Sequence, residues 1–126
     1  YRSAEKQQSL MDDKIKEFID QGESAAQAKK DAKKWVNPVG YSEHQTGLAL
    51  DVIAPGGTLN GFKNTQQFVW MRDNAHRFGF ILRYGDGMEY ITGYNFEPWH
   101  FRYVGTRVSL DMKDTGLCLE EYLGAV

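Results

Sequence analysis

The stretch "YSEHQTGLALDV", residues 41–52, decides how the chain is read. Its second half continues as "GLALDVIA" over residues 47–54, where Leu48, Leu50 and Val52 alternate with Ala49, Asp51 and Ile53. That period of two predicts a β-strand. Both faces of it are mostly apolar, so a central strand is expected. Asp51 is the odd member, because a carboxylate on a buried strand is costly unless it is paired or bound to a metal. Gly47 allows a sharp backbone, so that His44 can fold back over the strand.

Upstream the pattern is helical. Ser3 can cap a helix running to about Asp20, with Leu10, Met11, Ile15, Phe18 and Ile19 on one apolar face and Gly22 as the stop. Ser24 and Gln27 fit a capping box that opens a second helix, "SAAQAKKDAKKWV" (residues 24–36). Its lysines read as a solvated face. Pro38 and Gly40 end it.

Downstream, "PGGTLNG" is loop. Asn64 or Thr65 can cap a third helix with Phe68, Met71, Ala75 and Phe78 facing inward, and Gly79 is its end signal. "FILRY" (80–84) and "PWHFRYV" (98–104) read as strands, joined by a turn or irregular hairpin over 85–95. Pro98 falls at a strand start, where proline is tolerated. A helical tail is expected over about 106–123. Helices gather early and strands late, without βαβ alternation. This predicts an α+β fold with a small, mainly antiparallel sheet and helices packed on it.

The bulk numbers fit one domain over residues 1–126. A chain of 126 residues that is 41% hydrophobic and 25% charged can bury a core without staples. A net charge of −2 gives no electrostatic footprint for nucleic acid. No apolar run of about 18 residues is present. The single cysteine, Cys118, lies between Leu117 and Leu119 and reads as a buried apolar thiol. The opening "YRSAEKQ" reads like the middle of a domain, so an upstream segment is expected.

A second polar motif lies in "NFEPWHFRYVG" (95–105), where Glu97 and His100 stand three apart at the mouth of a strand. His44, Asp51 and His100 together give two imidazoles and one carboxylate, the ligand set of catalytic zinc with an open fourth position. Glu97 is left beside them as an unligated acid. Each residue also has a bland reading: a hydrogen-bonded histidine, a satisfied acid, an exposed loop carboxylate. On residue chemistry alone a metal site and its absence stand about even. His76 and Asp73 form a second helical pair, expected on the surface.

"SEHQTGLALD" fits the pattern SxHxxGxAxD and "EPWH" fits ExxH. Together they resemble the VanY-type D-alanyl-D-alanine carboxypeptidases, within the LAS-type zinc peptidases that also include LdcB-like L,D-carboxypeptidases. "YRSAEKQQ" resembles that family's Tyr-Arg-Ser…Gln stretch, and the likeness runs from residue 1 to about 123. The family has more residues before that stretch. The resemblance implies a hedgehog-like peptidase fold with its zinc site at the sheet. It implies one Zn²⁺ on His44, Asp51 and His100, and Glu97 as general base. Arg2 would stabilise the oxyanion. Ser42 and Gln7 would contact substrate near its carboxylate, and Trp99 and Tyr41 would line the pocket.

The activity implied is removal of the terminal D-Ala from peptidoglycan stem peptides, with a link to glycopeptide resistance. The alternatives are an L,D-carboxypeptidase trimming tetrapeptides, a D-Ala-D-Ala dipeptidase, or a silent wall-peptide-binding zinc module. The implied setting is an extracytoplasmic bacterial monomer, anchored only through a segment outside this chain.

Overall fold

A computed structural model describes residues 1–126. The chain packs as two compact units, Tyr1–Gly47 and Leu48–Val126.

The first unit is a helical pair followed by a tight turn. Helix α1 spans Ala4–Asp20, and the Ser3 hydroxyl accepts from the Lys6 amide at its start. This cap satisfies one of the amides that a helix N-terminus leaves without a partner. Gln7 and Met11 are its buried residues, with Ile15 and Phe18 half-buried along the same stripe. Helix α2 spans Ala25–Ala32, opened by Ser24, whose hydroxyl accepts from the Gln27 amide. The Gln27 side chain donates to Asp31 instead of closing the expected box. Ala28 and Ala32 are fully buried, so α2 meets α1 on methyl-sized side chains while its lysines face solvent.

Helix α2 is shorter than its composition suggests. The amides of Lys34 and Trp35 bond to carbonyls three residues back, on Asp31 and Ala32, which tightens the last turn ahead of Pro38. A 3-10 turn over Glu43–Thr46 then closes the unit, capped by Ser42 and ended by Gly47 at φ +76°.

The second unit holds the sheet: β1 (Ala49–Asp51), β2 (Phe80–Leu82) and β3 (His100–Tyr103), all antiparallel, in the order β1-β3-β2. The expected small antiparallel sheet is present, but its centre differs from expectation. β3 is central and β1 is an edge, with Leu48 and Leu50 each about two-fifths exposed. Two apolar faces therefore do not identify a central strand here.

The core of this unit is Phe62, Phe68, Ala75, Trp99 and Phe101, with Val52, Met71, Phe80, Leu82 and Phe96 packed on it. Phe62 and Phe68 meet edge to face at 5.8 Å. Helix α3 spans Gln66–Asn74 and is capped by Thr65. Its backbone then tightens into a 3-10 turn over Ala75–Phe78. The change of pitch turns Phe78 outward, 56% exposed beside Trp70, against the expected inward position. His76 is half-buried, with its Nδ1 enclosed and without a protein partner. It is therefore not the surface residue expected, and Asp73 pairs with Arg72 instead.

Gly79 ends the turn at φ +85°, where a Cβ would come within 2.6 Å of the Tyr103 ring. The 85–95 connection contains a short helix, α4 (Glu89–Thr92). The expected single tail helix is two, α5 (Thr106–Thr115) and α6 (Leu119–Tyr122), broken at Gly116 with φ +72°. Cys118 precedes α6 and is half-buried, and burial pushes its thiol above the ordinary pKa.

Candidate functional site

Antiparallel pairing sets Asp51 of β1 directly opposite His100 of β3. Paired residues share a face of the sheet, while alternation sends Trp99 and Phe101 to the other face and into the core. Asp51 Oδ1 lies 3.7 Å from His100 Nδ1. Glu97 Oε2 lies 3.4 Å from the same nitrogen. Glu97 is brought there by a one-turn return. The His100 amide donates to the Glu97 carbonyl, and the Glu97 amide donates to the Tyr84 carbonyl. Glu97 is 4% exposed and His100 is 4% exposed. The Tyr84 ring packs against the His100 imidazole, with centroids 5.0 Å apart.

These spacings exceed a good hydrogen bond. Donors held about 2.0–2.1 Å from one tetrahedral ion sit about 3.3 Å from each other, so a carboxylate and an imidazole 3.7 Å apart suit such an ion. Nitrogen and carboxylate oxygen are also the donor types that zinc takes. The residues present therefore fit the metal. Glu97 is as close to His100 as Asp51 is, so distance does not separate ligand from base. The expectation that Glu97 is a base and not a ligand rests on the ExxH motif.

In the first unit, Arg2, Gln7, Ser42 and His44 form a connected local structure. The Arg2 amide donates to the His44 carbonyl at 2.9 Å. The Arg2 guanidinium donates to Gln7 Oε1 at 2.9 Å. Gln7 Nε2 donates to the Asn37 carbonyl at 2.6 Å. Gln7 is 1% exposed, with both ends of its amide bonded inside the protein. Its amide therefore links the Arg2 guanidinium to the Asn37 carbonyl. Ser42 Oγ accepts from the His44 amide, which sets the turn presenting a His44 that is 9% exposed. Tyr41 is 78% exposed, whereas Trp99 sits in the core beneath β3.

Three residues near His100 were not singled out from the sequence: Tyr84, and the pair Arg83 and Glu120 beside it. Tyr84 was expected inside a strand over 80–84, but β2 ends at Leu82 and Tyr84 lies just beyond it, where its ring meets His100.

Residues 1–106 match the model of the VanY family, D-alanyl-D-alanine carboxypeptidase. The chain belongs to the VanY family. A D-alanyl-D-alanine carboxypeptidase of Enterococcus faecalis is 47% identical over 123 residues, which is 98% of this chain and 45% of the relative. The chain thus spans about half the length of that relative. A crystal structure of the vancomycin resistance D,D-pentapeptidase VanY from a VanB-type cassette, a glutamate-to-alanine variant in complex with Zn(II), is 47% identical. It superposes with a TM-score of 0.88, over 98% of this chain and 67% of that one. The LdcB L,D-carboxypeptidase is 40% identical with a TM-score of 0.82, over 100% of this chain and 56% of that one. Both the VanY reading and the LdcB-like likeness drawn from the motifs are borne out at the level of family and fold.

Proposed function

We propose that residues 1–126 act as one catalytic domain of a zinc-dependent D,D-carboxypeptidase, releasing the terminal D-Ala of peptidoglycan stem peptides. The observation that carries this reading is the Asp51–His100–Glu97 cluster across β1 and β3, in a chain that belongs to the VanY family. His44, Asp51 and His100 are the side chains suited to hold one divalent ion. When bound, zinc supplies Lewis acidity, polarising a peptide carbonyl and making water a usable nucleophile near neutral pH.

The chain's own residues do the rest. Glu97 takes a proton from the attacking water and returns it to the departing amine of D-Ala. Enclosure of that carboxylate keeps bulk water from competing for the proton. Arg2 places a permanent positive charge for the oxyanion of the tetrahedral intermediate. Gln7 fixes the direction of that charge through a side-chain amide that cannot itself ionise. Ser42 offers a hydroxyl to the free carboxylate of the substrate. Trp99 seats the segment from Pro98 to His100 on the core.

Substrates of this kind lie outside the cytoplasm, so the proposed setting is the cell wall, with the protein acting as a monomer. No helix of the chain is long and apolar enough to cross a membrane. The link to glycopeptide resistance follows from the VanB-type relative.

The likeness to LdcB supports a second reading, L,D-cleavage of tetrapeptides. Mass spectrometry of defined stem pentapeptide and tetrapeptide digests, with and without a chelator, separates the two. Loss of one D-Ala from the pentapeptide, abolished by the chelator, is expected. Shortening of the tetrapeptide alone overturns the D,D assignment, and chelator-resistant cleavage overturns the zinc assignment.

A further inference from the structure

Arg83 follows β2 and reaches Glu120, 37 residues further on in α6. The contact is a two-pronged ion pair: Nη1 donates to Oε2 at 2.8 Å and Nη2 donates to Oε1 at 2.6 Å. Their side chains are 10% and 19% exposed. A planar guanidinium gripped at both nitrogens has little freedom left to rotate. Its carbon lies 4.8 Å from the centroid of the Tyr84 ring. Tyr84 is 3% exposed and is also packed by Tyr94, with centroids 4.7 Å apart. The Tyr84 ring in turn lies 5.0 Å from the His100 imidazole.

We propose that Glu120 and Arg83 are positioning residues for His100, acting through the ring of Tyr84. This rests on the zinc reading above and adds to it. Imidazole binds a metal through a ring nitrogen that points along the bond, so a ring whose plane is set before the ion arrives binds it more tightly. β3 fixes the His100 backbone, and Asp51 and Glu97 lie beside one edge of its ring at Nδ1. Tyr84 restricts rotation of the ring by packing on it. Arg83 keeps Tyr84 in place by a cation–π contact, and Glu120 keeps Arg83 in place. On this account α6, at the far end of the second unit's sequence, tunes a metal ligand through two intervening side chains, Arg83 and Tyr84.

The test is zinc affinity, measured by competition with a chromophoric chelator, alongside thermal unfolding of the metal-free protein. Glu120→Gln and Arg83→Met are expected to weaken zinc binding about 10- to 100-fold, as loss of groups that orient metal ligands does. The double exchange Arg83→Glu with Glu120→Arg restores an ion pair but takes the cation off Tyr84. It is expected to recover Tm without recovering zinc affinity. Met112→Ala, a buried site in α5, should lower Tm and leave zinc affinity alone. Arg83→Lys keeps a cation without the fork and should fall between wild type and Arg83→Met, which covers the case in which Arg83→Met does not fold.

Equal zinc affinities across wild type, Glu120→Gln and Arg83→Met would overturn the inference, as would affinities that merely track Tm in every variant. If wild type takes up no zinc, the functional reading fails by itself. The inference is then decided by long-range ¹H–¹⁵N spectra of the His100 ring in the metal-free protein. One sharp tautomer in wild type that broadens in Glu120→Gln supports it, and unchanged ring signals overturn it.

Discussion

Two polar clusters in this chain, one closed and one opening at the exposed Asp51, are built on opposite plans. In the first unit, Arg2, Gln7 and Asn37 are joined by hydrogen bonds of 2.9 and 2.6 Å. In the second, Asp51, Glu97 and His100 stand 3.4–3.7 Å apart across a strand pair. The first cluster has the spacing of groups bonded to each other, and such a cluster orients a charge. The second has the spacing of groups arranged around something else. A closed network rigidifies, whereas a set of donors held slightly apart leaves room for a ligand atom. The comparison fits the proposal that Arg2 is a held charge and that Asp51, Glu97 and His100 carry the chemistry.

The largest expected effect sharpens the second cluster. Glu97→Gln should lower kcat by about 10²–10⁴-fold, the usual contribution of a general base, while zinc content stays at one per chain. Zinc analysis beside peptide hydrolysis checks both halves. Loss of zinc together with activity would make Glu97 a ligand and redraw the site.

Breaking the first cluster should cost less in rate. Arg2→Lys loses the planar fork that Gln7 holds, and kcat/KM should fall by about 10²–10³-fold, typical for one oxyanion donor. Gln7→Ala should reduce kcat/KM in the same direction and also destabilise the fold by about 1–3 kcal/mol, because a buried side chain with two hydrogen bonds is removed. Kinetics with chemical denaturation measure the two effects separately. A Gln7→Ala variant with normal kcat and a raised KM alone would return Gln7 to direct substrate contact.

The contrast between the units also marks what the sequence could disclose. Caps and stops are local, and Ser3, Ser24, Thr65, Gly22 and Gly79 all act where their residue types indicate. The site motifs were legible because each is compact: six residues separate His44 from Asp51, and two separate Glu97 from His100. Strand order was not legible. Leu48, Leu50 and Val52 look the same in an edge or a centre, and only the pairing of β3 with both neighbours decides it. Gln7 was legible as a motif residue but not as a buried one, since its partner Asn37 lies thirty residues away. The outward turn of Phe78 depends on a local switch from α to 3-10 pitch that apolar spacing does not encode.

A smaller effect concerns pH. Burial opposes the charge on Glu120, but the Arg83 fork and hydrogen bonds from its own backbone and Cys118 outweigh it, so its carboxyl titrates below the usual range. A lowered folded-state value means stability that is present above the unfolded carboxyl pKa of about 4.3 and lost as pH falls through the folded value. Glu120→Gln should therefore be less stable by about 2 kcal/mol at pH 7, below the cost for a fully buried pair, and its deficit should shrink as pH drops below about 4. Denaturation at several pH values reads this directly. The smallest effect is a control on the first unit: Ser24→Ala should cost about 1 kcal/mol through the lost α2 cap, with activity unchanged.

The central claim is that Asp51 of β1 and His100 of β3 present donors spaced for one divalent ion, with His44 proposed as the third ligand. Zinc titration of the metal-free chain against a competing chelator, repeated for Asp51→Asn and His100→Ala, tests it most directly. The account predicts uptake of one zinc per chain in wild type and affinity reduced at least about 10-fold in each variant. A wild-type chain that takes up no zinc, or variants that bind it as tightly as wild type, would contradict the account.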